Sequence, residues 1–433
     1  MASSARHKFL FTTFDGGGNV APIMTVVERL IERGHDVRVM SDRVNRDEAE
    51  AAGAEFTAWQ RAPSKPVRSR ELDPRDWAAP TPEQGLREMV EHFLCGLALA
   101  YASDLIAEIE QRPADLVVNF DMVLGVMTGC EARRQKLALL STCISMFPLP
   151  GIPPFGAGLR PARTEPERAL HAEIAAAATA LFDSGLPTLN AARSTLGLAP
   201  LDHVLDQANA AQLRLLGTSR AFDFVSSELP SYVRYVGPLI RDPVWAEPWL
   251  SPWRADDARP LVVVGFSTSF QNHAACLQRL IDACAALPVR VLVTLGGSIR
   301  RDELRPAPNT AIVNSAPHNI VLREASLVVT HGGHGTVMTA LMHRLPLLVL
   351  PHGRDQGDNA VRVTERGAGL SLNPDASTDV MRSALSRLIG EPSFRLGAKR
   401  LGDAVAHEVE TSRVLEELEG IAAATAVPRA GQP

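Results

Sequence analysis

The residues best suited to chemistry lie between Ser326 and Gly369, in SLVVTHGGHGTVMTALMHRLPLLVLPHGRDQGDNAVRVTERGAG. Residues 326–330 form a short apolar run, His331-Gly332-Gly333-His334-Gly335-Thr336 follows, and residues 337–343 have helical character. A strand that ends in a glycine turn and a helix start turns backbone N–H groups and the positive end of the helix dipole toward an anion. Gly333 and Gly335 let the backbone approach a phosphate, and His331 and Thr336 can add side-chain donors. One strand later, after residues 345–350 and Pro351, a polar loop carries Asp355 and Gln356. A carboxylate beside an amide suits a polyol, because together they accept and donate several hydrogen bonds. A glycine turn alone also fits a doubly wound sheet that binds nothing. An anion-like loop and a polyol-like loop one strand apart are much more specific, since both would face one crevice.

These loops need a sheet to position them. In the first half, residues 8–14 read as a strand, 15–19 as a turn, 20–33 as an amphipathic helix stopped by Gly34, and 35–41 as the next strand. This is a βαβ unit, although Gly16-Gly17-Gly18-Asn19 lacks the third glycine of a dinucleotide fingerprint. Residues 115–120 make another strand, with Asp121 at its carboxyl end, and 83–109 an apolar helix. Asp121 fits either a base or the N-cap of a helix near Met122, and Asp15 a turn residue or a base. Asn19 fits a turn residue, an N-cap, or a group that orients an acceptor or a water. Residues 61–82 read as a long surface loop, and 146–158 as an apolar, proline-rich one. Residues 241–260 read as a linker anchored by Trp245, Trp249 and Trp253, with an aromatic platform for a ligand as the alternative. Strands at 261–266, 289–295 and 310–314 begin a second sheet, with Ser267 and Thr268 at the first turn. Residues 392–424 read as one or two helices, and 427–433 as a disordered tail.

A chain of 433 residues is too long for one ordinary core and implies two or three domains. A formal net charge of -5 argues against a nucleic-acid binder, which carries a basic surplus. The five cysteines show no CxxC pair and no metal spacing, which fits a reducing cytoplasm. No signal-peptide pattern opens the chain, and no run approaches the roughly 20 apolar residues of a membrane span.

The segment 316–369, and the αβ rhythm of nearly the whole chain, resemble the nucleotide-sugar glycosyltransferases of the macrolide and UDP-glucuronosyl type. The resemblance implies an α/β chain of the GT-B fold, two facing Rossmann-like domains with a cleft between them. Its parts would be an acceptor domain at 1–238, a linker at 239–259, a donor domain at 260–390, and helices at 391–424 crossing back to the first domain. It implies that His331, Ser267 and Thr268 contact the donor diphosphate, with Gly333, Gly335 and Thr336 in the same turn, and that Asp355 and Gln356 hold sugar hydroxyls. Ala316-Pro317-His318 matches the base-binding segment, with Ser315 where an aromatic is usual, so backbone contacts at His318 carry that expectation.

One departure matters. Gly18-Asn19-Val20-Ala21-Pro22 matches a Gly-His-x-x-Pro pattern, with Asn19 at the position of the catalytic His. An amide cannot take a proton near neutral pH. Asp121, whose counterpart orients that His, is therefore expected to act on the acceptor directly or with Asn19, and Asp15 is a second candidate. The expected reaction moves a sugar from a UDP- or dTDP-sugar to a small hydrophobic or aromatic acceptor, with inversion. The helix after the glycine turn, His331 and Thr336 would stabilise the leaving diphosphate. No Asp-x-Asp motif calls for a metal, and no cofactor beyond the co-substrate is expected. The loop 146–158 would wall the acceptor pocket or act as a rigid connector, and association of two copies stays open. C- or N-glycosyl transfer, a nucleotide-sugar epimerase and a non-enzymatic sugar-nucleotide-binding helper are the rival readings.

Overall fold

Short apolar runs in the chain become parallel strands, the inner ones of each sheet buried on both faces, as strands flanked by helices on either side must be. The structure, a computed structural model, describes residues 6–73, 78–226 and 228–425. The expected tail at 427–433 lies outside them. The first sheet contains β1 (Lys8–Thr12), β2 (Asp36–Ser41), β3 (Glu55–Ala58), β4 (Leu116–Phe120), β5 (Leu137–Ser141), β6 (Leu213–Leu216) and β7 (Val233–Tyr235). The second contains β8 (Leu261–Gly265), β9 (Arg290–Thr294), β10 (Thr310–Val313), β11 (Ala325–Thr330), β12 (Leu347–Val349) and β13 (Gly369–Ser371). Their orders are β3-β2-β1-β4-β5-β6-β7 and β10-β9-β8-β11-β12-β13. Each order reverses beside its first strand, between β1 and β4 and between β8 and β11. Ligands of doubly wound sheets bind at such points, outside the carboxyl ends of the strands. Register fixes what emerges there. Thr12 pairs with Asn119 across the first switch, with their side chains bonded at 2.8 Å, and Gly265 pairs with Thr330 across the second.

One helix departs from the sequence reading. The apolar stretch expected as one helix at 83–109 is an α-helix Pro82–Glu88, a π-helical turn Met89–Leu94 and an α-helix Ala98–Gln111. The whole stretch Pro82–Gln111 is also long and apolar enough, by composition, to cross a membrane. Its buried side, with Val90, Leu94, Ala98, Tyr101 and Leu105, belongs to the first domain's core. The chain ends in two further helices, Pro392–Glu410 and Val414–Ala423. The last one leaves the second domain and buries Val414, Leu415, Leu418 and Ala422 in the first core. Arg33 binds Glu416 and Glu419 on it, and the Lys136 ammonium donates to the Ala422 carbonyl at 2.7 Å.

The two halves are also joined directly. Arg362 and Asp223 form a pair with both side chains 3% exposed, N to O distance 2.7 Å, and the Tyr235 hydroxyl donates to the same carboxylate. Asp358 accepts the Gly156 and Gly158 N–H groups at 2.6 and 2.7 Å. The end of the loop 146–158 is thereby fastened to the helix Gln356–Glu365 of the second domain.

Candidate active site

β11 delivers Thr330 and His331 to the second switch point. The Thr330 hydroxyl accepts the Gly332 N–H at 3.2 Å, and Gly332 adopts φ +101°. A Cβ at Gly332 would stand 2.8 Å from Val349 Cγ1, so glycine is required for both reasons. The His331 ring folds against Gly333, which caps the helix His334–Met342. Burial, with His273, His352 and Arg354 nearby, holds the His331 imidazole well below its usual pKa. A neutral imidazole still keeps one N–H to donate to a phosphate oxygen. Gly335 is exposed and Thr336 half-buried in the first turn of that helix. Sequence reasoning gives His334 no role. It is buried, its Nε2 lies 2.8 Å from Thr218 Oγ1 of the first domain, and burial lowers its pKa to about 4. The glycine turn is therefore itself a point of domain contact.

Asp355 precedes the helix Gln356–Glu365 and accepts from Asn359 Nδ2 at 2.8 Å. Burial raises its pKa to about 6, with nearby Asp358 adding to the rise and the Asn359 bond opposing it. Gln356 is 1% exposed and committed inward. It accepts the His352 N–H at 2.7 Å and donates to Gln271 Oε1 at 2.9 Å. Gln271 in turn donates to Ser267 Oγ at 3.2 Å, so Ser267 and Gln356 belong to one hydrogen-bonded chain that ties the loop after β8 to the loop after β12. The His318 ring lies over Gly265 and 3.5 Å from Thr294 Oγ1, closing the ends of β8 and β9, and burial lowers its pKa.

On the first domain, Asn19 is a scaffold. Its Nδ2 donates to Thr13 Oγ1 and to the Phe14 carbonyl, both at 2.9 Å, and its Oδ1 accepts the Gly16 N–H at 3.1 Å. Of the roles expected for it, these bonds match the turn residue; its side chain makes no N-cap bond. Asp15 is buried between Lys65 Nζ at 3.5 Å and Arg68 Nε at 3.3 Å. Asp121 is 2% exposed, and the Ser141 hydroxyl at the end of β5 donates to it. The helix that follows starts at Leu124 with Val123 as its cap residue, so Asp121 is not the helix cap. Burial lifts its pKa to about 7, against the Ser141 bond and the Arg214 charge. A carboxyl that titrates near neutral pH is suited to general-base work.

Between the domains lies a cavity of about 620 Å³, within the range of small-molecule sites. Asp15, Arg68 and Arg70 border it from the first domain, Thr268, Ser269, Gly296, Gly297, Asn314 and Ser315 from the second, and Trp245 from the linker. Thr268 meets the first loop of the facing domain. A Cβ at Gly17, which has φ +93°, would stand 2.6 Å from Thr268 Oγ1. Of the catalytic and donor-binding residues expected from the sequence, Asp15 and Thr268 line this cavity; the others do not. The linker tryptophans separate likewise. Trp249 and Trp253 pack on the second core, while Trp245 is on the cavity wall.

Comparison with known proteins agrees with this architecture. Residues 278–421 match the family model described as "Erythromycin biosynthesis protein CIII-like, C-terminal domain". The chain is 28% identical over 431 residues to 4'-demethylrebeccamycin synthase of Lentzea aerocolonigenes, covering 96% of this chain and 99% of that protein. It is 34% identical over 210 residues to TDP-daunosamine transferase DnrS of Streptomyces peucetius, covering 46% of this chain and 47% of that protein. Among solved structures, the glycotransferase of kitacinnamycin superposes with a TM-score of 0.74 at 18% identity, covering 96% of this chain and 99% of that one. The two parallel sheets and their helices form the GT-B fold.

Proposed function

We propose that this chain, a family 1 glycosyltransferase of the antibiotic-pathway type, moves a sugar from a UDP- or dTDP-sugar to a small apolar acceptor in one inverting displacement. The observation that carries the donor reading is the glycine turn at the second switch point, with buried, neutral His331 at the start of the helix His334–Met342. The name of one relative, a TDP-daunosamine transferase, supports the same class of donor.

The step is a substitution at the anomeric carbon. Asp121, as carboxylate, takes the acceptor proton, and the acceptor atom bonds to the sugar. The bond from sugar to diphosphate breaks, and its electron pair leaves with the diphosphate. Backbone N–H groups of the turn, His331 and Thr336 stabilise that charge. Asp355 accepts from sugar hydroxyls, while Gln356 holds the loop that presents it. Asn19 keeps the first loop in shape rather than handling protons.

The test is a thermal shift. UDP or dTDP should raise Tm, because a ligand that binds only the folded state stabilises it. His331→Ala should lose most of the rise. A larger shift with NAD than with either nucleotide would refute the donor reading.

A further inference from the structure

We propose that Trp245, in the linker between the two domains, is the platform on which the donor's nucleobase stacks; this rests on the donor reading above. Among the described residues that line the 620 Å³ cavity, Trp245 is the one aromatic side chain. It stands there with Asn314 and Ser315, the residues that follow β10. The linker is held in this place from both sides. Val244 N–H donates to Glu48 Oε1 of the first domain at 3.0 Å. Glu247 N–H donates to Ser315 Oγ at 3.0 Å, and Asn314 Nδ2 to Glu247 Oε1 at 3.3 Å. Trp245 is thus fixed within a few residues of pins to both domains, as a preorganised stacking surface requires.

The rest of the wall suits the remainder of a nucleoside diphosphate. Thr268 and Ser269 bring hydroxyls, and Gly296 and Gly297 follow one another at φ +63° and +81°. The Arg68 guanidinium lies 5.7 Å over the Trp245 ring. Indole and guanidinium faces both stack on a base. Ser315, with only a hydroxyl, offers no stacking face, so Trp245 supplies from the linker what the sheet's own loop lacks. Trp249 and Trp253 pack against each other with ring centroids 6.4 Å apart and do not line the cavity.

The experiment is isothermal titration of the full chain with dTDP, UDP and inorganic pyrophosphate. Loss of one base–aromatic stack should weaken dTDP and UDP about 5- to 150-fold in Trp245→Ala. Pyrophosphate, which has no base, should bind with unchanged Kd. Trp245→Phe should keep dTDP binding within about threefold of wild type, since a phenyl face still stacks, and it guards against a linker that collapses in the alanine variant. Unchanged dTDP affinity in Trp245→Ala overturns the inference. So does an equal loss for dTDP and pyrophosphate, which would make Trp245 an anchor only. A wild-type chain that binds pyrophosphate but neither nucleotide overturns the donor reading, and this inference with it.

Discussion

Replacing Asp121 by asparagine should make the protein slower and more stable together, and the stability gain should depend on pH. A carboxyl moved from its ordinary 3.8 to about 7 makes the ionised form cost the fold about 4 kcal/mol, at about 1.4 kcal/mol for each tenfold step. The sign follows from linkage. The folded state holds this proton more tightly than the unfolded one, so stability falls as pH rises from about 4 to about 7 and is level above. The amide of the Asp121→Asn variant cannot ionise, and it can still accept from the Ser141 hydroxyl. Urea unfolding of this variant should therefore show a gain over wild type of up to about 4 kcal/mol at pH 8, shrinking to about 2 kcal/mol or less at pH 5. Turnover should move the opposite way. Loss of a general base costs about 10²- to 10⁴-fold, and kcat/KM should no longer rise with pH through about 7. Acidic phenols as acceptors should lose least, because they need the least help in giving up a proton. A stability difference that is the same at both pH values would refute the buried-carboxyl argument. Full activity in the variant would remove Asp121 as the base and leave Asp15, which borders the cavity, or ionisation of the acceptor in bulk water.

Two further outcomes test other parts of the molecule. Asp355→Ala should weaken the complete nucleotide sugar about 5- to 150-fold, the effect of about 1–3 kcal/mol for lost buried hydrogen bonds, with free dTDP nearly unaffected; equal loss for both ligands would move Asp355 off the sugar. Arg362→Met should cost about 3–5 kcal/mol in chemical denaturation, because it strands the buried Asp223 carboxylate, and joining it with Asp223→Leu should recover most of that. A double variant no better than the single one would count against charge burial as the cause.

Much of the strand framework is legible as short apolar runs bounded by turn residues, but β3, β5, β6, β7 and β13 do not stand out in the sequence, where a short apolar run fits a buried helix as well. Residues 326–330 read as a strand, and β11 runs Ala325–Thr330. The π-helical turn at Met89–Leu94 leaves no local signal, and the chain reads there as plain apolar helix. Side-chain roles are legible in proportion to how local their partners are. Asn19 closes on Thr13, Phe14 and Gly16, all within six residues, so a turn role is among the readings. Asp121 reads as base or cap because its partner Ser141 lies one strand away, a neighbour only once β4 pairs with β5. His334 meets Thr218 across 116 residues, and the linker reaches Ser315 across 68. No pattern in a single sequence reports those contacts, and they are the ones that set Trp245 on the cavity wall and the glycine turn against the facing domain.

The helix Val414–Ala423 has a consequence for how the protein is made. A ribosome delivers residues 1–235, and with them β1 to β7 of the first sheet, long before this helix exists. Until it arrives, the first domain lacks the partner for the core surface that Val414, Leu415 and Leu418 cover, and Arg33 and His35 lack Glu419. The newborn first half therefore waits with an apolar face open to water and to other chains, a state prone to aggregation. Its core is completed only after the whole second sheet has been made, so a chain lacking residues 412–423 loses part of the first domain's packing as well as the helix itself.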